Sequence, residues 1–161
     1  MQAHYTVRDF LPLIAMFTII LFLTWMSQGC RGWHWMSAMS DFMGFFFVIF
    51  GSLKIINIHG FVKAYAMYDI LAKQSIMYAY SYPFIELALG IAYLTRFAPF
   101  ATNLITLIVM LFSAAGVAIE LAAQREFVCA CLGALFTVPM TYVTLAEDLL
   151  MALMALIMLL Y

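Results

Sequence analysis

Charged residues are scarce in this chain of 161 residues, which contains seven Lys and Arg and eight Asp and Glu. They make up 9% of the sequence, whereas about 25% is typical of a soluble globular domain. Apolar residues make up 68%. So few charges cannot cover a water-soluble surface, and a net charge of −1 without a basic patch excludes a nucleic-acid-binding protein. The composition indicates an integral membrane protein that sits in a lipid bilayer.

The sequence also lacks the strict alternation of apolar and polar residues that marks the strands of membrane β-barrels. Long uninterrupted apolar runs stand in its place, so we predict an all-α, polytopic membrane helix bundle. No phosphate-binding loop, Ser/His/Asp set or H-E-x-x-H motif is present. This absence favours an accessory or carrier protein over a classical enzyme.

Uncharged apolar runs predict five membrane-spanning helices. The first, second and fourth lie at residues 10–26, 42–56 and 97–119. At about 1.5 Å of rise per residue, runs of this length cross most or all of a bilayer core. Ser40 and Asp41 suit the start of the second helix, because their side-chain oxygens can accept hydrogen bonds from its free N–H groups.

The third and fifth helices each allow two interpretations. The apolar run after Pro83 is too short to cross alone, so the third helix either begins near Ser75 and kinks at Pro83, or begins at Pro83 and spans partly. The fifth helix either covers residues 127–146 or begins at Thr144. We prefer the later start, because Thr144-x-x-Glu147 has the pattern of a capping box.

Two segments are predicted not to cross the membrane. Residues 57–82 contain five of the nine tyrosines, which suggests an amphipathic helix on the membrane surface with an interfacial belt of aromatic rings. Within it, Asp69 and Lys73 are spaced as an i,i+4 ion pair. The second segment, residues 122–140, would be re-entrant or interfacial.

Lys and Arg are unevenly distributed between the two sides that five crossings define. Five of the seven fall on the side of the N-terminus, which favours a cytoplasmic N-terminus in a bacterial inner membrane. Small residues on the spans predict where helices approach closely. Gly44, Gly51, Gly90 and Ala114 should face neighbouring helices, and Ala114 would share its packing face with Ala118.

Five ionisable residues stand at helix ends that alternating helix directions place at one membrane face. They are Lys54, Glu86, Glu120, Glu147 and Asp148. Ionisable groups within a membrane are costly and are functional candidates by default. A structural interpretation stays open, in which a carboxylate neutralises Lys54 and holds the bundle together.

Two of the three cysteines, Cys129 and Cys131, are separated by one residue. They could form a labile disulfide, cycle between dithiol and disulfide, or chelate a soft metal. Alternatively, they pack as small hydrophobic residues. We expect this pair to join the charged cluster, where the ammonium of Lys54 as the nearest group would favour the reactive thiolate, and a nearer carboxylate would disfavour it.

Cys30 lies in the loop on the opposite side, where it would be a secondary thiol. With His34, Met36 and Met39 it could bind Cu(I), since thiolate, imidazole and thioether suit that ion. The same methionines also fit a helical packing stripe, and the neighbouring tryptophans fit an interfacial belt. We prefer the packing interpretation.

Several motifs follow one another along the chain. They are Met43-Gly44-Phe45-Phe46, Lys54, Gly60-Phe61, Tyr68-Asp69, Ala72-Lys73, Tyr82-Pro83-Phe84-Ile85-Glu86-Leu87, Leu89-Gly90, Cys129-Ala130-Cys131-Leu132-Gly133, Val138-Pro139-Met140-Thr141 and Thr144-Leu145-Ala146-Glu147-Asp148. In this order they resemble the MauE/DoxX-like redox-associated membrane proteins. The resemblance covers about residues 38–160.

The resemblance implies a four-helix core at residues 38–161, preceded by an extra helix and the Cys30 loop at residues 1–37. Members of the family often accompany thioredoxin-like or glutaredoxin-like proteins, or metal-binding domains. MauE itself is tied to maturation of methylamine dehydrogenase, which needs many disulfides.

Three functions follow as hypotheses. The first is a membrane thiol–disulfide protein that works with a thioredoxin-like partner through Cys129 and Cys131 and needs no cofactor. The second is the handling of copper or another soft heavy metal. The third is a non-catalytic membrane scaffold.

Overall fold

The computed structural model describes residues 11–29, 32–122 and 142–161, and they form six α-helices. The helices are α1 (Leu11–Gly29), α2 (Trp35–Ile56), α3 (Ile58–Tyr65), α4 (Ile76–Thr95), α5 (Pro99–Ala122) and α6 (Tyr142–Leu160). The described residues contain no strand. The predicted all-α membrane bundle is therefore confirmed.

Three helices, α1, α2 and α5, are long and apolar enough to cross a membrane by length and composition. The remaining long helices, α4 and α6, have 20 and 19 residues, which corresponds to about 30 and 28 Å of rise. Helix α4 packs against α2, and α6 packs against α5. Both are thus long enough to cross a bilayer beside the helix that each one contacts.

Helix α1 packs on α2 through aromatic rings near its middle. The ring of Phe17 lies 5.9 Å from that of Phe46 and 6.3 Å from that of Phe50. Only 17% of the apolar stretch of α1 is buried inside the protein. The rest of α1 presents large apolar side chains outward, as a helix at the lipid-facing edge of a bundle does.

Helices α2 and α4 run antiparallel at very short range because glycines face each other across the contact. A Cβ at Gly90 would lie 2.9 Å from the backbone nitrogen of Val48 and 3.0 Å from the carbonyl oxygen of Gly44. A Cβ at Gly51 would lie 3.2 Å from the carbonyl oxygen of Pro83. The absence of side chains thus lets the two backbones touch, as predicted for these three glycines.

Helix α5 uses a different small-residue face from the predicted one. Ala114 is 4% exposed, in agreement with the prediction. Ala118 is exposed, so the predicted Ala114–Ala118 face is wrong. Gly116 takes its place: a Cβ there would lie 3.0 Å from the carbonyl oxygen of Tyr68. The glycine lets α5 approach the chain that follows α3.

The helix starts differ from two of the predictions. Helix α2 begins at Trp35, so Ser40 and Asp41 are buried inside it and do not cap its first turn. Helix α6 begins at Tyr142, which confirms the later of the two starts but places Thr144 within the first turn. The proposed interfacial segment before α6 lies outside the described residues.

Helix α4 resolves the other open choice in favour of the longer helix. It begins at Ile76 and continues through Pro83, which is buried. Ser75 caps it, because its hydroxyl oxygen accepts a hydrogen bond from the backbone N–H of Tyr78. The two additional turns before Pro83 give α4 the length that the apolar run after this proline lacked.

Residues 57–75 fold back against the bundle. Tyr65, Tyr68 and Tyr82 are 2–4% exposed, so these three rings belong to the core and do not form an interfacial belt. Asp69 accepts hydrogen bonds from the Tyr65 hydroxyl and from two backbone N–H groups. Lys73 pairs with Glu120, so the predicted Asp69–Lys73 ion pair is wrong. The segment closes one end of the bundle with aromatic rings.

Candidate charged site

A buried ion pair between α2 and α4 is the centre of the candidate site. The ammonium of Lys54 donates to both carboxylate oxygens of Glu86, at 2.6 and 2.7 Å. Lys54 is 7% exposed and Glu86 3%. Gly51, one turn before Lys54, contacts α4 at Pro83 and Glu86 and brings the two helices close enough for this pair to form.

Aromatic rings surround the ammonium of Lys54. Its nitrogen lies 5.1 Å from the ring centroid of Tyr82 and 5.5 Å from that of Phe61. Rings at this distance attract a cation through their quadrupole. The rings and the bidentate carboxylate together compensate the cost of removing an ammonium from water.

Two further carboxylates from α6 line the same small cavity as the ion pair. Glu147 and Asp148 join Lys54 and Glu86 around a volume of about 20 Å³, which is large enough for one water molecule. The cavity therefore brings together one ammonium and three carboxyl groups. Several ionised carboxylates close together in a low-dielectric site repel one another, which favours the binding of a proton or a cation. The cluster thus has the composition of a site that can exchange protons.

The wall of this cavity contains three tyrosines, Tyr65, Tyr68 and Tyr82. The rings of Tyr65 and Tyr82 lie 4.6 Å apart, and the hydroxyl of Tyr65 donates to Asp69 at 3.0 Å. Burial, reinforced by the nearby Tyr82 and Asp69, raises the pKa of Tyr65 well above its usual range. Tyr65 therefore stays protonated and keeps this hydrogen bond at neutral pH.

Glu120, the fifth residue of the predicted cluster, has a different salt-bridge partner. It forms an ion pair with Lys73, an exposed lysine in the turn before α4. The structure thus brings four of the five predicted charges to one cavity and places the fifth in a separate pair at the last turns of α5.

A second polar centre, which the sequence analysis did not identify, lies around Asp41. Its carboxylate accepts hydrogen bonds from Ser27 at 2.6 Å, from Gln28 at 2.7 Å and from Arg96 at 2.5 Å. Arg96 also donates to the carbonyl oxygen of Ser37 at 3.1 Å. The centre ties the end of α1 and the first turns of α2 to the α4–α5 turn.

The signal for this second centre was present in the sequence. Five crossings place Arg96 and the residues before the second span on the same side of the membrane, so the sequence allows a contact between them. Asp41 was interpreted as a helix cap, which would leave its carboxylate satisfied by backbone N–H groups. Arg96 itself adopts a left-handed conformation, with φ of 57°, at the end of α4.

The predicted metal ligands are only partly within reach of the structure. Cys30, Cys129 and Cys131 lie outside the described residues, so the predicted proximity of the Cys129–Cys131 pair to Lys54 stays a prediction. His34 and Met36 are exposed, and Met39 is half-buried. Within residues 11–29, 32–122 and 142–161, no group of three or more His, Cys, Asp and Glu residues could hold a metal ion.

The helices and the two polar centres define the class of protein as an integral membrane helix bundle with buried charge at both ends. Residues 13–161 match the family of methylamine utilisation protein MauE, and the chain belongs to this family. The match includes nearly all of α1, which the motif resemblance had placed outside the family. No curated protein and no solved structure matches the chain.

Proposed function

We propose that this membrane protein exchanges electrons with a thioredoxin-like or glutaredoxin-like partner during the maturation of another protein. Cys129 and Cys131 are the reacting thiols, and Cys30 is a secondary thiol on the opposite side. The charged cavity of Lys54, Glu86, Glu147 and Asp148 supplies the electrostatic environment. Membership of the methylamine utilisation family supports a role in such a pathway.

One observation carries the proposal: the described helices on both sides of the two thiols contribute charged residues at the same end of the bundle. Helix α5 ends at Ala122, two residues after Glu120, and α6 begins at Tyr142, five residues before Glu147. Glu147 lines the cavity of the Lys54–Glu86 pair, which supports a location of Cys129 and Cys131 at this end.

The chemistry is a balanced thiol–disulfide exchange. In one direction, a thiolate of the Cys129–Cys131 pair attacks a disulfide of the partner and forms a mixed disulfide. The second thiol of the pair then displaces the partner, so that one disulfide forms here as one is reduced there. Two electrons move to the partner, and two protons accompany them. The carboxyl groups of the charged cavity can pass these protons from the thiols to the partner.

Trapping of the mixed disulfide tests this proposal. The full chain, oxidised in membranes so that Cys129 and Cys131 form a disulfide, is combined with a reduced thioredoxin-like protein that lacks its second active-site cysteine, so that the reverse reaction stops at the mixed disulfide. We expect a covalent complex with the unaltered chain, and its loss in Cys129→Ser or Cys131→Ser. Cys30→Ser is the matched control, because it removes a thiol from the other side. A complex that persists without both Cys129 and Cys131 would contradict the assignment.

The same thiols also suit a soft metal, which is the second candidate function. A Cys-x-Cys pair supplies two thiolate ligands of the kind that Cu(I) prefers. Copper analysis of the purified protein distinguishes this function from electron exchange. Stoichiometric copper that disappears in Cys129→Ser, together with no trapped partner, would favour metal handling. The absence of both bound copper and a trapped partner would favour a scaffold.

A further inference from the structure

A second, larger cavity lies at the Asp41–Arg96 end of the bundle, between α2, α4, α5 and α6. Its volume is about 190 Å³. Ser40 on its wall precedes Lys54 by 14 residues in the same helix, which corresponds to about 21 Å at 1.5 Å per residue. The cavity is therefore distinct from the charged site and takes no part in the proposed electron exchange.

Two polar side chains on its wall, those of Asn103 and Arg96, offer hydrogen-bond donors. The hydroxyl of Tyr93 donates to the amide oxygen of Asn103 at 2.7 Å, and both residues are buried. This bond fixes the orientation of the Asn103 amide and uses one of the two lone pairs of its oxygen. The amide N–H groups of Asn103 consequently remain as donors on the cavity wall.

Arg96 is the charged residue on this wall, and its charge is already balanced. One of its terminal nitrogens donates to Asp41 at 2.5 Å and to the carbonyl of Ser37. A guanidinium has five N–H donors, so donors remain on its other nitrogens. Because Asp41 neutralises it, the site offers hydrogen bonds without a net charge that would attract an ion.

Besides these groups and the hydroxyls of Ser40 and Thr102, the wall is apolar and includes Met36 and Met158. Methionine side chains adapt to the shape of a bound molecule. An apolar cavity of about 150 Å³ is known to hold a benzene ring, so about 190 Å³ suits a molecule of roughly seven or eight non-hydrogen atoms.

We propose that this cavity binds a small uncharged molecule that has a carbonyl-type oxygen on a compact apolar frame. The oxygen accepts hydrogen bonds from Asn103 and Arg96, and the frame contacts Met36 and Met158. A charged ligand is disfavoured because it would have to leave water for a site whose own charges already cancel.

The test compares four probes of similar shape on the full chain in lipid nanodiscs. Cyclohexanone has the required oxygen, methylcyclohexane lacks it, and cyclohexylammonium and cyclohexanecarboxylate bear opposite charges. We expect cyclohexanone to bind about fivefold more tightly than methylcyclohexane, which is the typical effect of one net hydrogen bond. Both ions should bind at least tenfold more weakly than cyclohexanone. Affinities are measured by ligand-observed NMR against empty nanodiscs.

Two variants locate the binding. Asn103→Leu should reduce the preference for cyclohexanone over methylcyclohexane, because only the Arg96 donors then remain for the oxygen. Ala92→Phe fills the cavity and should abolish the binding of both, while the thermal unfolding midpoint shows that the variant is folded. Four results would overturn the proposal: equal affinity for the two uncharged probes, tighter binding of the carboxylate, unchanged binding in Ala92→Phe, or an unchanged preference for cyclohexanone in Asn103→Leu. If either variant fails to fold, the other still decides.

Discussion

At the scale of single residues, the Lys54–Glu86 pair is the interaction on which the charged end of the bundle depends. Both groups are buried, and their bidentate contact satisfies the two carboxylate oxygens. A buried pair of this kind contributes little compared with a well-packed apolar pair of the same volume. Removal of one partner alone strongly lowers the stability, because the other charge then stays buried without a counter-ion.

This asymmetry gives a prediction for single and double variants. Lys54→Met should lower the free energy of unfolding by about 3–5 kcal/mol, because Glu86 loses its counter-ion. The double variant Lys54→Met/Glu86→Leu should recover most of the loss. Unfolding in mixed detergent micelles measures both.

Lys63→Met is the control for this series, because Lys63 is an exposed lysine on α3 and forms no salt bridge within the described residues. It should leave the stability nearly unchanged. Equal losses in Lys63→Met and Lys54→Met, or a double variant as unstable as the single one, would contradict the interpretation of a buried and paired charge.

At the scale of the elements, the α2–α4 contact determines where the charged residues meet. Gly44, Gly51 and Gly90 let the two backbones approach along several turns. Lipid tails are as apolar as the side chains, so a side chain gains no hydrophobic free energy by moving from lipid to a neighbouring helix. Such close packing is therefore a main source of helix association. The register that these glycines fix also brings Lys54 opposite Glu86.

Gly90→Leu tests this packing. The new side chain would meet the backbone of Val48 and Gly44, which cannot move aside as a flexible side chain can. We expect a loss of about 1–3 kcal/mol or more in the free energy of unfolding, as for other overpacked cores. Gly29→Leu at the end of α1 is the matched control, because a Cβ there meets nothing within 4 Å. Similar stability of both variants would refute the proposed role of Gly90.

Helix direction and small-residue spacing were sufficient to predict much of this arrangement. Apolar runs identify spans, and the alternation of their directions places Lys54 and Glu86 at one end. Helix limits were harder to predict, because Ser40 and Asp41 are good capping residues and their burial depends on a partner distant in sequence. The pairing of Asp41 with Arg96 and of Lys73 with Glu120 arises from tertiary packing, which local spacing does not encode.

The aromatic residues illustrate the same limit. Tyrosine is common both at membrane interfaces and in cores where its hydroxyl finds a partner. Composition alone favoured the interface for residues 57–82. Asp69 accepts a hydrogen bond from the Tyr65 hydroxyl inside the fold, and this partner lets the Tyr65 ring lie in the core.

At the scale of the whole molecule, buried polar centres stand at both ends of an otherwise apolar bundle. Asp41 and Lys54 lie 13 residues apart on α2, which corresponds to about 20 Å along a bilayer core of about 30 Å. Each centre therefore lies slightly inside its own membrane face. The two candidate ligand chemistries, electron exchange near Lys54 and small-molecule binding near Arg96, would face different compartments.

The distribution of Lys and Arg predicts which compartment each end faces. In a chain with Cys30, Cys129 and Cys131 changed to serine, single cysteines at Lys63 and Phe97 report the two ends, because both positions are exposed. An impermeant maleimide added to intact bacterial spheroplasts should label Phe97→Cys and should label Lys63→Cys only after lysis.

The two ways in which this labelling experiment can fail have different meanings. Labelling of Lys63→Cys but not Phe97→Cys in intact spheroplasts would reverse the orientation and leave the bundle unchanged. The Cys-x-Cys segment would then face the outside, where disulfides persist in an oxidising environment. Labelling of both cysteines in intact spheroplasts would contradict the predicted crossing of α4, which places the two positions on opposite sides of the bilayer.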